Sequence, residues 1–119
     1  MNNRRFYCRV EPQDVVPAVV YVNHERELSA QVVNVSEDGI CLKISNEDVK
    51  FFQNGDTVTF SLVTGSFGVV TDKMIVKHVD EQGDGAYVGG SCAYHNSFYE
   101  YVSQLKCQLW RNGRFLFGF

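Results

Sequence analysis

Residues 28–44, LSAQVVNVSEDGICLKI, contain two runs of alternating apolar residues separated by a polar segment. Alternation with a period of two is typical of half-buried β-strands, so the two runs predict an antiparallel pair. The segment between them, NVSEDG (residues 34–39), predicts a hairpin turn, because Asn and Ser side chains bond to nearby backbone and Gly adopts positive φ without strain. A turn needs only one or two such residues. The surplus raises the question of whether Asn34 and Ser36 also face a ligand.

The rest of the chain extends this pattern to six strands followed by one helix. Similar alternation predicts further strands at about residues 14–22, 57–62, 67–78 and 86–93. A single helical turn is expected near residues 48–52. The period then changes to three and four residues, one apolar helical stripe, at Phe98, Tyr101, Val102, Leu105 and Leu109. Short turns imply antiparallel pairing, so we expect an all-β fold: a six-stranded antiparallel β-barrel with a C-terminal α-helix packed against it.

The length of 119 residues fits a single domain. Its expected parts are an arginine-bearing flexible loop, the barrel, the helix and an apolar tail, at residues 1–13, 14–95, 96–112 and 113–119. The four cysteines form no Cys-x-x-Cys pair, which favours a reducing compartment. No cleavable signal and no apolar stretch of bilayer length is present, so the sequence predicts a cytoplasmic protein.

Charge is distributed unevenly along the chain. The net charge is −3, yet the first ten residues hold three arginines and no acid. Removing these three from the eleven Lys and Arg leaves eight against fourteen Asp and Glu, a formal −6. Proteins that coat duplex DNA or RNA use a broad basic face to neutralise many phosphates, and this composition excludes one. A small anion can still bind at one concentrated basic spot.

The N-terminal arginines and the polar segment carry chemistry suited to an anionic ligand with purine bases. A guanidinium offers a planar fork of donors that matches a phosphate or the O6/N7 edge of guanine, and its flat face stacks on a base. An Asn amide and a Ser hydroxyl both donate and accept hydrogen bonds, so they suit a base edge or a phosphate oxygen. Alone, an arginine cluster is more often a solvated terminus and NVSEDG more often a plain turn.

Together the two segments resemble the motifs of the PilZ domain, a bacterial receptor family for the second messenger cyclic di-GMP. Residues 4–9, RRFYCR, match RRxxxR, and residues 34–39 match (D/N)xSxxG at every fixed position. The resemblance covers nearly the whole chain and implies a barrel of the split-barrel type that ends in a helix. The ligand-binding residues that it implies are Arg4, Arg5, Arg9, Asn34, Ser36 and Gly39.

The resemblance also implies a role for each of these residues. The arginines would clamp phosphates and guanine, while Asn34 and Ser36 bond a guanine edge and Gly39 shapes the turn. Family members with an arginine at the position of Arg4 resemble those that hold two intercalated cyclic di-GMP molecules. The adjacent acids Glu37 and Asp38 have no implied role, and we expect them to be solvated.

The function implied by the resemblance is a conformational switch. The arginine loop is expected to order over cyclic di-GMP and to change the surface shown to a partner protein or fused domain that controls motility, biofilm or exopolysaccharide production. We therefore expect no enzymatic activity, no cofactor, no metal, no DNA or RNA partner and no membrane insertion. A homodimer is compatible with the phenylalanine-rich C-terminus.

Other interpretations of the sequence are weaker. His24, His78 and His95 are too far apart to form a local metal motif and are expected at the surface or at strand edges. Ser36 near Asp38 resembles a catalytic triad only in composition, because no nucleophile elbow surrounds it. The main alternative function is a PilZ-like interaction adaptor without a ligand. A single-stranded RNA binder would need a basic groove, which the charge does not supply.

Overall fold

The computed structural model describes residues 9–23, 25–92 and 96–111. Within them the chain forms six β-strands and a 16-residue α-helix. In chain order these are β1 (Pro17–Val22), β2 (Arg26–Ser36), β3 (Gly39–Ile44), β4 (Thr57–Val63), β5 (Val69–Gln82), β6 (Gly85–Cys92) and α1 (Asn96–Arg111). A short 3-10 helix, Asn46–Phe51, connects β3 to β4.

The six strands close into a barrel in the order β1-β2-β3-β6-β5-β4, and every neighbouring pair is antiparallel. Alternate residues point inward because side chains in a strand alternate between its two faces. In β4, for example, Val58, Phe60 and Leu62 are buried. The predicted six-stranded barrel with a C-terminal helix is confirmed.

Helix α1 packs its apolar stripe on the barrel. All five predicted stripe residues are buried, and the Phe98 ring meets the Phe60 ring edge to face at 5.7 Å between centroids. An edge-to-face aromatic pair contributes about 0.5–1.5 kcal/mol beyond the burial of its area. The described part of the chain contains no helix that is long and apolar enough to span a membrane.

Several strand boundaries differ from the predictions. β1 begins at Pro17 rather than at residue 14. β5 continues to Gln82, through residues expected to form a loop, because it stays paired with β6 until Gln82 meets Gly85. Residues 1–8 of the predicted arginine loop lie outside the described part of the chain. The whole of the predicted apolar tail also lies outside it.

Two register shifts interrupt the ladders and shape one face of the barrel. The pairing of β2 with β3 shifts between Val32 and Asn34, and the pairing of β5 with β6 shifts between Val76 and His78. Each shift inserts one extra residue, Val33 in β2 and Lys77 in β5. Such bulges re-aim the side chains that follow them, and they often occur next to binding sites.

Candidate ligand-binding site

The NVSEDG segment is mostly strand rather than turn. Asn34 and Ser36 belong to the end of β2, and Gly39 begins β3, so only Glu37 and Asp38 form the connection. The expected hairpin is present, but its connection is shorter than the six residues expected, because the ladder continues until Ser36 pairs with Gly39. As alternate strand residues, Asn34 and Ser36 share the face opposite the inward-pointing Val35.

Arg9 joins the first motif to the second. The residue after it, Val10, forms a β-bridge with Val35, in which each backbone N–H donates to the other residue's carbonyl at 2.9 Å. This bridge fixes the segment beside β2, where Arg9 Nη1 donates a hydrogen bond to Asn34 Oδ1 at 2.8 Å. Two residues 25 positions apart in the sequence thus form one polar surface. Arg4 and Arg5 lie outside the described residues.

Gly39 has a different role from the one expected. Its φ is not in the left-handed region, so the turn itself does not require glycine there. A Cβ added at Gly39 would instead lie 2.8 Å from the Gly90 carbonyl oxygen and 3.3 Å from Arg9 Nη2. Glycine is needed because β6 and the guanidinium approach the backbone closely.

Ser36 stabilises the connection between β2 and β3. Its side chain is fully buried, and its hydroxyl donates to Asp38 Oδ1 at 2.6 Å. The Asp38 carbonyl in turn accepts a hydrogen bond from the Cys92 N–H at 3.0 Å, which ties the connection to the end of β6. The Ser36 hydroxyl is therefore engaged within the protein in this structure.

Glu37 contradicts the expectation that the two acids are solvated. Its carboxylate Oε1 lies 2.7 Å from Lys106 Nζ, and the two side chains are only 10% and 17% exposed. Asp38 is also half-buried. The ion pair connects the β2–β3 connection to α1 across 69 sequence positions. Local sequence patterns do not report such a contact, so the pair was missed.

A cleft of about 160 Å³ adjoins the two motifs on the barrel surface. Its lining residues are Arg9, Asp38, Lys77, His78, Gly90 and Ser91. His78 is exposed, in agreement with the surface position predicted for it. Lys77 and His78 were not predicted as site residues. The one signal in the sequence was the Gly89-Gly90 pair in β6, which leaves room beside β5.

A larger groove of about 550 Å³ lies between α1, the segment before β1 and the β4–β5 hairpin. Tyr101, Leu105 and Phe67 are among its lining residues, and it contains no residue of either motif. The smaller cleft is the better candidate site despite its size, because Arg9 of the first motif and Asp38 of the NVSEDG segment both line it, and Arg9 is bonded to Asn34.

The cysteines near the site behave as packing residues. Burial raises the pKa of the Cys41 thiol, although the nearby Arg9 charge opposes this effect. Burial also raises the pKa of Cys92, with further contributions from Asp72 and Asp38. Both thiols are therefore protonated near neutral pH and are poor nucleophiles. In residues 9–23, 25–92 and 96–111, no group of three or more His, Cys, Asp or Glu side chains is placed to hold a metal ion.

Among known proteins, this chain is similar to solved structures but not to any family model or curated sequence. No protein-family model matches the chain, and no curated protein matches it. Among solved structures, the PilZ domain of YcgR from Escherichia coli, determined with c-di-GMP, superimposes with a TM-score of 0.79 at 13% sequence identity. The match covers 94% of this chain and 95% of that one. The chain has the fold of a PilZ domain.

Two further structures share this PilZ fold as part of longer chains. The Bacillus subtilis inhibitor of motility, MotI/DgrA, matches with a TM-score of 0.72 and 15% identity over 95% of this chain and 54% of that one. The K. pneumonia MrkH–c-di-GMP complex matches with a TM-score of 0.76 and 13% identity over 95% and 55%. The chain thus spans about half the length of MotI and MrkH. The resemblance predicted from the two motifs is confirmed at the level of the fold.

Proposed function

We propose that this protein is a receptor for cyclic di-GMP. The observation that carries the proposal is the 2.8 Å hydrogen bond from Arg9 to Asn34, which brings the second arginine of RxxxR against the first residue of (D/N)xSxxG. Two of the similar structures, those of YcgR and MrkH, are complexes with c-di-GMP. Their fold and the two motifs support the same ligand for this chain.

The geometry suits the chemistry of this ligand. Cyclic di-GMP carries two phosphates and two guanines, and a guanidinium can bind a phosphate or the O6/N7 edge of guanine in a bidentate manner. Arg9 Nη1 already contacts Asn34, so the two side chains present donors and acceptors side by side. Because the Ser36 hydroxyl bonds to Asp38, its first role is to hold the connection that positions Asn34. Arg4 and Arg5 complete the proposed site by the motif resemblance, with two intercalated ligand molecules as the expected stoichiometry.

Binding, rather than bond-making, is the proposed activity. In this proposal the arginine segment orders over the ligand and alters a surface that a partner protein or fused domain reads. Motility, biofilm or exopolysaccharide production is the proposed output, and the bacterial cytoplasm is the proposed location. One of the similar structures is that of an inhibitor of motility, which is compatible with such an output.

Isothermal titration calorimetry with cyclic di-GMP tests the proposal. The unchanged chain should bind, and a stoichiometry of two would support the intercalated dimer. Arg5→Ala and Arg9→Ala should each lose at least about 100-fold in affinity, because each removes the two charge-assisted hydrogen bonds of a bidentate contact, worth about 1.5–3 kcal/mol apiece. Circular dichroism should show that both variants remain folded.

Arg26→Ala is a matched control for these variants. Arg26 stacks over the Phe51 ring at 4.6 Å and lies at the opposite end of β2 from Asn34, so its loss should leave ligand affinity unchanged. Full affinity in Arg5→Ala or Arg9→Ala would refute the site. The absence of binding by the unchanged chain would refute the function and favour an interaction adaptor without a ligand.

A further inference from the structure

We propose that Lys77 and His78 form a second wall of the ligand site, in which Lys77 binds a ligand phosphate and His78 packs against a guanine ring. This inference rests on the proposed function. It extends the site from the two motifs on β2 and β3 across the barrel to β5, which neither motif includes.

A cross-strand row of residues connects the two walls. Asn34 pairs with Cys41, Cys41 with Gly89, and Gly89 with His78, so the row runs from β2 through β3 and β6 to β5. Strands are about 4.8 Å apart, so three spacings separate Asn34 from His78 by about 14 Å along the surface. A second row on this face contains Ser36, whose side chain is buried, together with Gly39 and the half-buried Ser91. The floor between the walls therefore consists of small side chains that leave room for a flat ligand.

The bulge in β5 creates the second wall. Val76 points inward opposite Gly90, and after the bulge the partly buried Val79, opposite Val88, again packs against the core. Lys77 is the extra residue, so Lys77 and His78 both face outward, although they are consecutive. In a regular strand the two side chains would point to opposite faces, and one of them would point into the core.

Gly89 allows the His78 imidazole to lie on this floor. A Cβ added at Gly89 would overlap the imidazole, so the ring occupies the space directly above the Gly89 backbone. The residue as a whole is exposed, and it lines the cleft. An aromatic ring supported in this way offers a stacking surface to a purine base.

The charges of the cleft favour an anionic ligand. The lining residues include the Arg9 guanidinium, the Lys77 ammonium and a single carboxylate, that of Asp38. Lys77 is exposed and forms no ion pair within the described part of the chain. Its ammonium is therefore available to a phosphate, for which lysine is a suitable point charge.

Calorimetry with cyclic di-GMP at two salt concentrations tests the second wall. Lys77→Met should weaken binding by about tenfold and reduce the dependence of affinity on salt, because a charge pair is lost. Lys73→Met is the matched control, since Lys73 is an exposed lysine on the same strand that does not line the cleft. It should leave both quantities unchanged.

His78 is tested by a set of three substitutions. His78→Ala should weaken binding by about tenfold, whereas His78→Phe should retain most of the affinity because it keeps a ring for stacking. Gly89→Ala should weaken binding without unfolding the barrel, because the added methyl displaces an exposed imidazole. Thermal melts of every variant check that the fold is intact.

The outcomes separate this inference from the proposed function. If the unchanged chain binds cyclic di-GMP and Lys77→Met and His78→Ala bind equally well, the second wall is wrong and the receptor proposal stands. If the unchanged chain does not bind, both proposals fail. A loss of affinity in Lys73→Met as large as that in Lys77→Met would also overturn the inference, because the effect would then be one of general charge.

Discussion

The ion pair between Glu37 and Lys106 is predicted to contribute more to stability than the exposed pair of Lys43 and Asp84. The perturbation is Lys106→Met, which keeps an unbranched aliphatic side chain of similar length and removes only the ammonium. The Glu37 carboxylate, with its side chain 10% exposed, would then lose the partner that lies 2.7 Å from it. Glu37 would be left as a largely buried charge with little access to water.

The magnitude follows from the burial of the two side chains. Removing one partner of a fully buried pair costs about 3–5 kcal/mol, because an uncompensated charge remains inside. Here the Glu37 and Lys106 side chains are 10% and 17% exposed. Partial solvation therefore reduces the expected loss of unfolding free energy to about 2–3 kcal/mol. For a domain of this size such a loss corresponds to a decrease of about 8–12 °C in Tm.

Urea denaturation followed by circular dichroism measures the change in the free energy of unfolding. Lys73→Met serves as the control, because exposed substitutions usually change stability by less than about 0.5 kcal/mol. The double variant Glu37→Gln/Lys106→Met should recover at least about 1 kcal/mol relative to Lys106→Met, since it removes the stranded charge.

Two results would refute this reasoning. A loss below about 0.5 kcal/mol in Lys106→Met would show that solvent screens the pair like an ordinary surface salt bridge. A double variant no more stable than Lys106→Met would show that the lysine stabilises α1 through its aliphatic stem rather than through its charge.

Three further predictions concern Gly39 and Tyr101. Gly39→Ala should destabilise the barrel by about 1–2 kcal/mol and weaken cyclic di-GMP binding, because its Cβ would lie 2.8 Å from the Gly90 carbonyl oxygen and crowd Arg9; unchanged melting and calorimetry would disprove the close approach. Tyr101→Phe should leave stability unchanged or raise it by up to about 1 kcal/mol, because the buried Tyr101 hydroxyl has no hydrogen-bond partner among the described residues. Burial also raises the pKa of Tyr101 from 10.0 to about 12, so the folded chain keeps a proton that the unfolded chain releases between these values. Stability should therefore fall as pH rises from 10 towards 12, and it should fall less steeply in Tyr101→Phe; identical pH profiles in thermal melts would contradict this assignment.

The sequence indicated many of the residues of the candidate site, but not how they are arranged in space. The fixed residues of the second motif and the last arginine of the first could be read from the sequence, and the structure places Arg9 against Asn34. The role of Gly39 was not predictable. Only glycine fits at this position because the backbone of Gly90, which lies 51 positions later in the sequence, approaches it closely from a neighbouring strand. Glu37 was assigned to solvent because nothing near it in sequence indicates Lys106.

The sequence by itself determined the strands, the apolar stripe of α1 and the two motifs, because each depends on local periodicity or spacing that the backbone geometry imposes. Only the tertiary structure decided which distant residues meet. The closure of the barrel brings β6 and β5 beside β3, the bulge at Lys77 turns two consecutive side chains outward, and the docking of α1 delivers Lys106 to Glu37. These contacts depend on strand register and helix packing, which are set by the fit of the whole core rather than by any short stretch of the chain.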